Sequence, residues 1–209
     1  GKINQSILVL SLLLSFLGVS SVPAFAAEGK IVLKQYPELK IGFTTAQFLK
    51  FLPTTAPNVK QLIDFAAAQG FAFVEVRDPS AKLSLADCKE LAAYAGSKKI
   101  ELIYAINTGL MDPAFAENFS RAIANAGAFN GPRVVRAAAF GPEFNQADKK
   151  YWTADEYALL VEKGNNAANM AKSFGLTFLF ENALEGLKGD GVNTFGFSDL
   201  VRGVNSNVG

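Results

Sequence analysis

Short apolar, β-rich runs alternate along the chain with longer segments in which apolar residues recur every three to four positions. The runs follow one another at intervals of about thirty to forty residues. They begin near residues 41, 71, 100, 133 and 176 and read KIGFTT, FAFVEVR, IELIYAI, RVVRAAAF and LTFLFEN. A strand followed by its crossover helix needs this spacing, so the pattern predicts five βα units and a parallel sheet.

Helix start and stop signals bound the segments between these runs. Asn58 is predicted to cap the first helix, and Gly70 is predicted to end it. Thr153 is followed three residues later by Glu156, the spacing of a capping box, and the long helix that begins there is predicted to stop at Gly175. Each predicted helix leads into the next apolar run.

Regular βα repetition is compatible with a doubly wound open sheet or with a closed eight-stranded barrel. A dinucleotide-binding open sheet needs a GxGxxG turn after its first strand, whereas this chain has GFTTAQFLKFLPTT there. The predicted fold class is therefore α/β, a TIM-type (β/α)8 barrel of which about the first five βα units are present.

The amino-terminal segment has the pattern of a signal peptide. Lys2 precedes the apolar run ILVLSLLLSFLGV, and an AFA cleavage motif ends at Ala26. A membrane anchor is the alternative, but the run is shorter than the ~20 residues of a spanning helix. We expect a signal peptide over residues 1–26, an extension over 27–40 and a partial barrel domain over 41–209, hence a periplasmic or secreted protein without a stable membrane anchor.

Composition excludes several classes of function. The 20 basic and 19 acidic residues nearly balance, so a nucleic-acid partner is not expected. A single cysteine, Cys88, excludes an internal disulfide, and the absence of histidine excludes His-based triads and a His general base. The oligomeric state stays open.

Polar side chains collect where the predicted strands end, which is where the active site of a β/α barrel lies. They are Thr44, Thr45, Glu75, Arg77, Asn107, Arg136, Glu181 and Asn182. Glu75 and Arg77 share one strand face, so an ion pair between them or with Arg136 inside the barrel is an alternative to substrate binding. Asn107 precedes Thr108 and Gly109 and could equally be a turn residue.

Glu181 is the strongest candidate for a functional residue. It follows the apolar TFLF directly, and a carboxylate in such a position is costly to bury unless it is paired or bound to a metal. We therefore interpret Glu181 as a site residue.

Four stretches together resemble one known family. IGFTT, AAAQGFAFVEVR, CKELAAYAGSKKIELIYAI and AANMAKSFGLTFLFENA are similar to the sugar phosphate isomerase/epimerase family, the xylose-isomerase-like TIM barrels, with FEN after the fifth strand the most specific element. The resemblance implies a divalent metal, Mn²⁺ or Mg²⁺ with Zn²⁺ as an alternative, held by a Glu at the end of strand five. Glu181 has this position and would be both metal ligand and catalytic residue. Glu75, Arg77, Asn107, Arg136 and Asn182 would bind the substrate.

The family places its other metal ligands, an Asp, a His and a second Glu, after strands six to eight. The segment after the signal peptide is shorter than the ~200 to 250 residues of a closed barrel. We expect a carboxy-terminally truncated chain, inactive alone, whose remaining ligands lie beyond residue 209.

The resemblance implies proton transfer next to the carbonyl of a ketose or keto-sugar. The leading hypothesis is thus an exported, metal-dependent sugar isomerase or epimerase with a small-molecule sugar substrate. Alternatives are a non-catalytic exported sugar-binding barrel and a keto-glycoside lyase or hydrolase on the same fold.

Overall fold

In a computed structural model of the protein, residues 8–9, 36, 38–138, 152–181 and 197–204 are described. Strands and helices alternate along the chain, as the sequence predicts. The strands are β1 Leu8–Val9, β2 Ile41–Thr44, β3 Phe73–Arg77, β4 Glu101–Gly109, β5 Val134–Ala138 and β6 Thr177–Glu181. The helices are α1 Ala56–Gln69, α2 Leu85–Ser97, α3 Phe115–Ala128, α4 Ala154–Ser173 and α5 Phe197–Gly203, with a 3₁₀ turn at Thr45–Phe48. Strands β2 to β6 confirm the five predicted strands.

The chain forms two compact units. The first consists of the chain as far as Arg77 together with Ala86–Ile103 and Phe129–Pro132. The second consists of Asp78–Leu85, Tyr104–Ala128 and the chain from Arg133 onward. Each unit is built from parallel strands and the helices that pack on them.

In the first unit β2 pairs in parallel with β3, with Gly42 opposite Phe73 and Thr44 opposite Glu75. The short strand β1, which lies in the predicted signal peptide, pairs in parallel with β2 and was not predicted as a strand. All residues of β2 and β3 are buried. Burial of both faces therefore also encloses Glu75 and Arg77, the two charged residues that alternate with apolar residues in β3.

Two helices of the first unit are joined on their outer surface by an exposed polar network. The hydroxyl of Tyr94 on α2 donates to both carboxylate oxygens of Asp64 on α1 at 2.8 Å, and Lys98 Nζ lies 3.2 Å from Asp64 Oδ1. The Tyr94 hydrogen bond, with Lys98 adding to it, lowers the pKa of Asp64. The Asp64 side chain is about half exposed, so this network contributes little to stability.

In the second unit the part of β4 from Tyr104 onward, β5 and β6 run parallel. Tyr104 lies opposite Val135, and further along the sheet Ala138 lies opposite Glu181. The core of this unit contains stacked and edge-on aromatic rings around Phe178, which has no exposed surface. The ring of Phe178 lies 5.1 Å from that of Phe119. Trp152, the only tryptophan of the chain, is 2% exposed and also belongs to this unit.

The helix ends test the predicted caps. Gly70 ends α1 in the left-handed conformation at φ 76°, and Thr153 and Glu156 form a reciprocal capping box at the start of α4, both as predicted. The prediction for Asn58 is wrong. Thr55 is the N-cap of α1 and accepts from the Asn58 amide, while the Asn58 side chain donates to the carbonyl of Pro53. None of the helices in the described residues is long and apolar enough to cross a membrane.

Candidate functional site

Glu181, at the carboxyl end of β6, forms an ion pair with Arg136 in the middle of the neighbouring strand β5. Arg136 lies on β5 opposite Leu179, and Glu181 is the last residue of β6, so the two side chains approach diagonally across the strand pair. Arg136 Nη1 contacts Glu181 Oε2. The Arg136 side chain is 12% exposed and that of Glu181 is 36% exposed. The carboxylate predicted to bind a metal is thus held by a guanidinium and is reachable from solvent.

Glu75 and Arg77 lie in the first unit, on the buried strand β3. Glu75 is 4% exposed and Arg77 is 8% exposed. The backbone of Arg77 is fixed by two threonines of the segment after β2. Thr45 Oγ1 accepts from the Arg77 amide at 2.9 Å, and Thr54 Oγ1 donates to the Arg77 carbonyl at 2.6 Å. The sequence predicted that these side chains bind the substrate, and that assignment stays a prediction.

Two further residues, Asn107 and Asn182, were predicted to bind the substrate. Asn107 lies on β4 in the second unit, and its side chain is exposed between buried neighbours. Its backbone amide donates to the carbonyl of Pro79 at 3.2 Å. Asn182 lies outside the residues that the structure describes.

A buried carboxylate that sequence reasoning missed directly follows β3. Asp78 is 1% exposed, and its Oδ2 accepts from the hydroxyl of Tyr104 and from the amide of Leu83, each at 2.7 Å. Tyr104 Oη accepts from Asn125 Nδ2 at 3.1 Å, and Asn125 Nδ2 also donates to the carbonyl of Leu83 at 2.9 Å. Tyr104 and Asn125 are buried as well. A polar chain from Asn125 through Tyr104 to Asp78 is therefore enclosed in the second unit.

The described residues provide one candidate metal ligand. The Glu181 carboxylate offers the oxygen donors that Mg²⁺ and Mn²⁺ prefer, and its exposure admits a cation from solvent. Among the residues that the structure describes, no cluster of three or more His, Cys, Asp or Glu side chains could hold a metal ion. Glu181 therefore fits a metal as one ligand of a larger set, and a metal there would have to share or replace the contact with Arg136.

Comparison with solved structures shows which fold this is. A D-psicose 3-epimerase crystallised in the presence of D-fructose superposes with a TM-score of 0.58 at 19% identity, over 81% of this chain and 61% of the epimerase. A sugar phosphate isomerase/epimerase from Parabacteroides distasonis has a TM-score of 0.58 at 14% identity, over 90% of this chain and 68% of that protein.

A xylose isomerase-like TIM barrel protein from Mycobacterium smegmatis in complex with magnesium has a TM-score of 0.54 at 16% identity. This match covers 75% of the present chain and 56% of the mycobacterial protein. No family model and no curated protein matches the sequence. The chain thus spans about three fifths of two of these structures. The predicted fold class, a TIM-type barrel of which five βα units are present, is confirmed.

Proposed function

We propose that this protein is a metal-dependent sugar isomerase or epimerase that moves a proton at the carbon next to the carbonyl of a ketose. The observation that carries the proposal is the position of Glu181, a partly exposed carboxylate at the carboxyl end of β6. In TIM-type barrels the strand ends of this face bear the catalytic groups. The solved structures with this fold include sugar epimerases, which supports a sugar as the substrate class.

Glu181 is proposed to act as the base. One carboxylate oxygen takes the proton from the carbon next to the carbonyl, and the electron pair of the broken C–H bond enters the developing enediolate. When the proton is taken from C3, return of a proton to the opposite face by a second acid that faces Glu181 gives the epimer. When it is taken from C1, its return to C2, with the O1 hydroxyl proton moved to O2, gives the aldose. Arg136 contacts the Glu181 carboxylate and therefore fixes its direction.

A divalent metal is part of the proposal, with Glu181 as one of its ligands. When bound, such an ion supplies Lewis-acid polarisation of the sugar's carbonyl and hydroxyl oxygens. Support comes from the magnesium complex of a protein with this fold and from the chemistry of the carboxylate donor. In this proposal a metal bound to Glu181 shares or replaces the contact between Glu181 and Arg136. The Arg136 guanidinium can then donate to a substrate oxygen, which is the role predicted for it.

Proton exchange with solvent is the direct test of this function. The whole protein is incubated with D-fructose in D₂O, with Mn²⁺ or Mg²⁺, and the sugar is followed by NMR. We expect deuterium to appear at C3 for an epimerase or at C1 for an isomerase, and a chelator to abolish the exchange. Absence of exchange with a panel of ketoses under all metal conditions would contradict the proposal.

A non-catalytic sugar-binding barrel is a second candidate, and one observation favours it. The guanidinium of Arg136 already provides a positively charged partner for the Glu181 carboxylate, as expected for a carboxylate that binds no metal. Ketose binding in the presence of a chelator, without any deuterium exchange when metal is added, would support this candidate over the enzyme.

We also propose that the protein is exported, on the basis of the n-region, apolar run and AFA motif of its first 26 residues. Export predicts that the protein isolated from the periplasm or medium begins at Ala27. Mass spectrometry of its amino-terminal peptide measures this directly, and an intact leader in the exported protein would contradict it.

A further inference from the structure

The β3–α2 loop, residues 78–84, is bonded along most of its length to other parts of the second unit. Its carbonyls at Pro79, Ser80, Ala81 and Leu83 all accept hydrogen bonds from side chains of β4 or α3. Ala81 lies in the left-handed region at φ 51°, a conformation that a non-glycine residue adopts only where the surroundings fix it. The loop is therefore held at four carbonyls by side chains of the fold.

One face of α3 provides most of these donors. Asn118, Arg121 and Asn125 are spaced three and four residues apart and so project from the same side of the helix. Arg121 Nε donates to the carbonyl of Ala81 at 3.2 Å, and Asn118 Nδ2 donates to Thr108 Oγ1, whose hydroxyl in turn donates to the carbonyl of Pro79. Asn118 and Asn125 are buried, at positions where an amphipathic helix would ordinarily have apolar residues, so these two amides indicate a specific requirement on the loop.

Asp78 closes the loop from its other side. Its Oδ2 accepts from the amide of Leu83, which lies five residues further on, and its own amide donates to the carbonyl of Ala105 at 2.8 Å. If the loop moved outward as a lid, the buried Asp78 carboxylate and the Tyr104 hydroxyl would lose their partners away from water. That cost makes opening unfavourable.

We propose that Asn125 is a positioning residue that, through Leu83, Tyr104 and Asp78, fixes the β3–α2 loop as a preformed wall of the sugar site. This inference rests on the proposed function, because the loop follows the carboxyl end of β3, where the substrate site of such a barrel is formed. Asn125 is 2% exposed and acts through the loop rather than by contact with the sugar. The site is accordingly ready before the substrate arrives, and its specificity does not depend on loop closure.

Asn125→Ala tests this, with Asn130→Ala as the matched control. Asn130 also binds strand backbone through both ends of its amide, at the Ile100 carbonyl and the Leu102 amide, but it belongs to the first unit. Hydrogen exchange of both variants is compared at equal global stability. We expect the Ala81 and Leu83 amides to exchange about three- to tenfold faster in Asn125→Ala and to be unchanged in Asn130→Ala. Unchanged exchange in Asn125→Ala would overturn the proposal.

Kinetics in the whole protein provide the second readout. We expect kcat/KM for the ketose to fall about tenfold or more in Asn125→Ala, since small displacements of a positioning element are costly, and to be retained in Asn130→Ala. Tyr104→Phe, which removes only the hydroxyl between Asn125 and Asp78, should give the same pattern if Asn125→Ala fails to fold.

Faster loop exchange with unchanged kcat/KM would overturn the positioning role. A wild-type protein that exchanges no ketose proton would contradict the proposed function instead, and hydrogen exchange would still decide whether Asn125 fixes the loop.

Discussion

Replacing Glu181 by Gln is expected to lower the rate of ketose proton exchange by about 10²-fold or more, the share that a positioned general base contributes. Gln keeps the size of the side chain, and its amide oxygen can still accept from the charged Arg136 guanidinium, so the ion pair becomes a hydrogen bond to a neutral acceptor and no cavity forms. In the proposed mechanism the carbon proton then has no base to receive it, and the metal would meet a neutral amide oxygen in place of a carboxylate. The measurement is the initial rate of deuterium incorporation into D-fructose, with metal content determined in parallel.

Glu162→Gln is the matched control for this change. Glu162 is an exposed residue of α4, so its replacement removes the same charge from the same unit without touching the ion pair. We expect wild-type rates for Glu162→Gln. Full activity in Glu181→Gln would show that this carboxylate is neither base nor required ligand, whereas loss of metal with activity restored by excess metal would leave it a ligand only.

Replacing Phe178 by Ala is expected to destabilise the second unit by about 3–5 kcal/mol, the usual cost of deleting a large aromatic side chain from a core. Phe178 is completely buried, and its ring lies 5.1 Å from that of Phe119 and 4.8 Å from that of Phe180. Truncation leaves a cavity between two rings that belong to different elements. Urea or guanidinium unfolding measures the change in the free energy of unfolding.

Phe174→Ala serves as the comparison, because Phe174 lies in the same unit just before β6 and is 55% exposed. Its replacement buries nothing new and opens no cavity, so we expect a change within about 0.5 kcal/mol. Equal destabilisation by the two substitutions would contradict the assignment of Phe178 to the core.

The strands could be predicted from the sequence because each is a short run rich in β-branched and aromatic residues between two helical patterns. FVEVR and TFLFE correspond to β3 and β6 for this reason. Caps with a reciprocal local pattern, such as Thr153 with Glu156, were also predictable. The cap of α1 was missed because Thr55 and Asn58 are both good capping residues, and Pro57, placed early in the helix, favours the earlier start.

The candidate site was predictable only in part. Sequence position alone identified Glu181 and Arg136 as strand-end residues, but their pairing depends on the register of β5 and β6, which places Ala138 opposite Glu181. Asp78 was missed because its partner Tyr104 is 26 residues away along the chain. In the sequence Tyr104 is flanked by apolar residues, so nothing there indicates a polar contact. Contacts between residues so far apart leave no periodic signal, and a serine, proline or aspartate after a strand is typical of any turn.

The burial of Trp152 gives the second unit its own optical reporter. No other residue of the chain contributes indole fluorescence, and at 2% exposure this ring is shielded from water quenching and from solvent relaxation. Excitation at the red edge of the absorption band therefore reads the state of one unit alone, whereas far-ultraviolet dichroism averages over every helix. Comparing the two signals during denaturation separates events in the unit that bears Glu181 from events elsewhere in the chain.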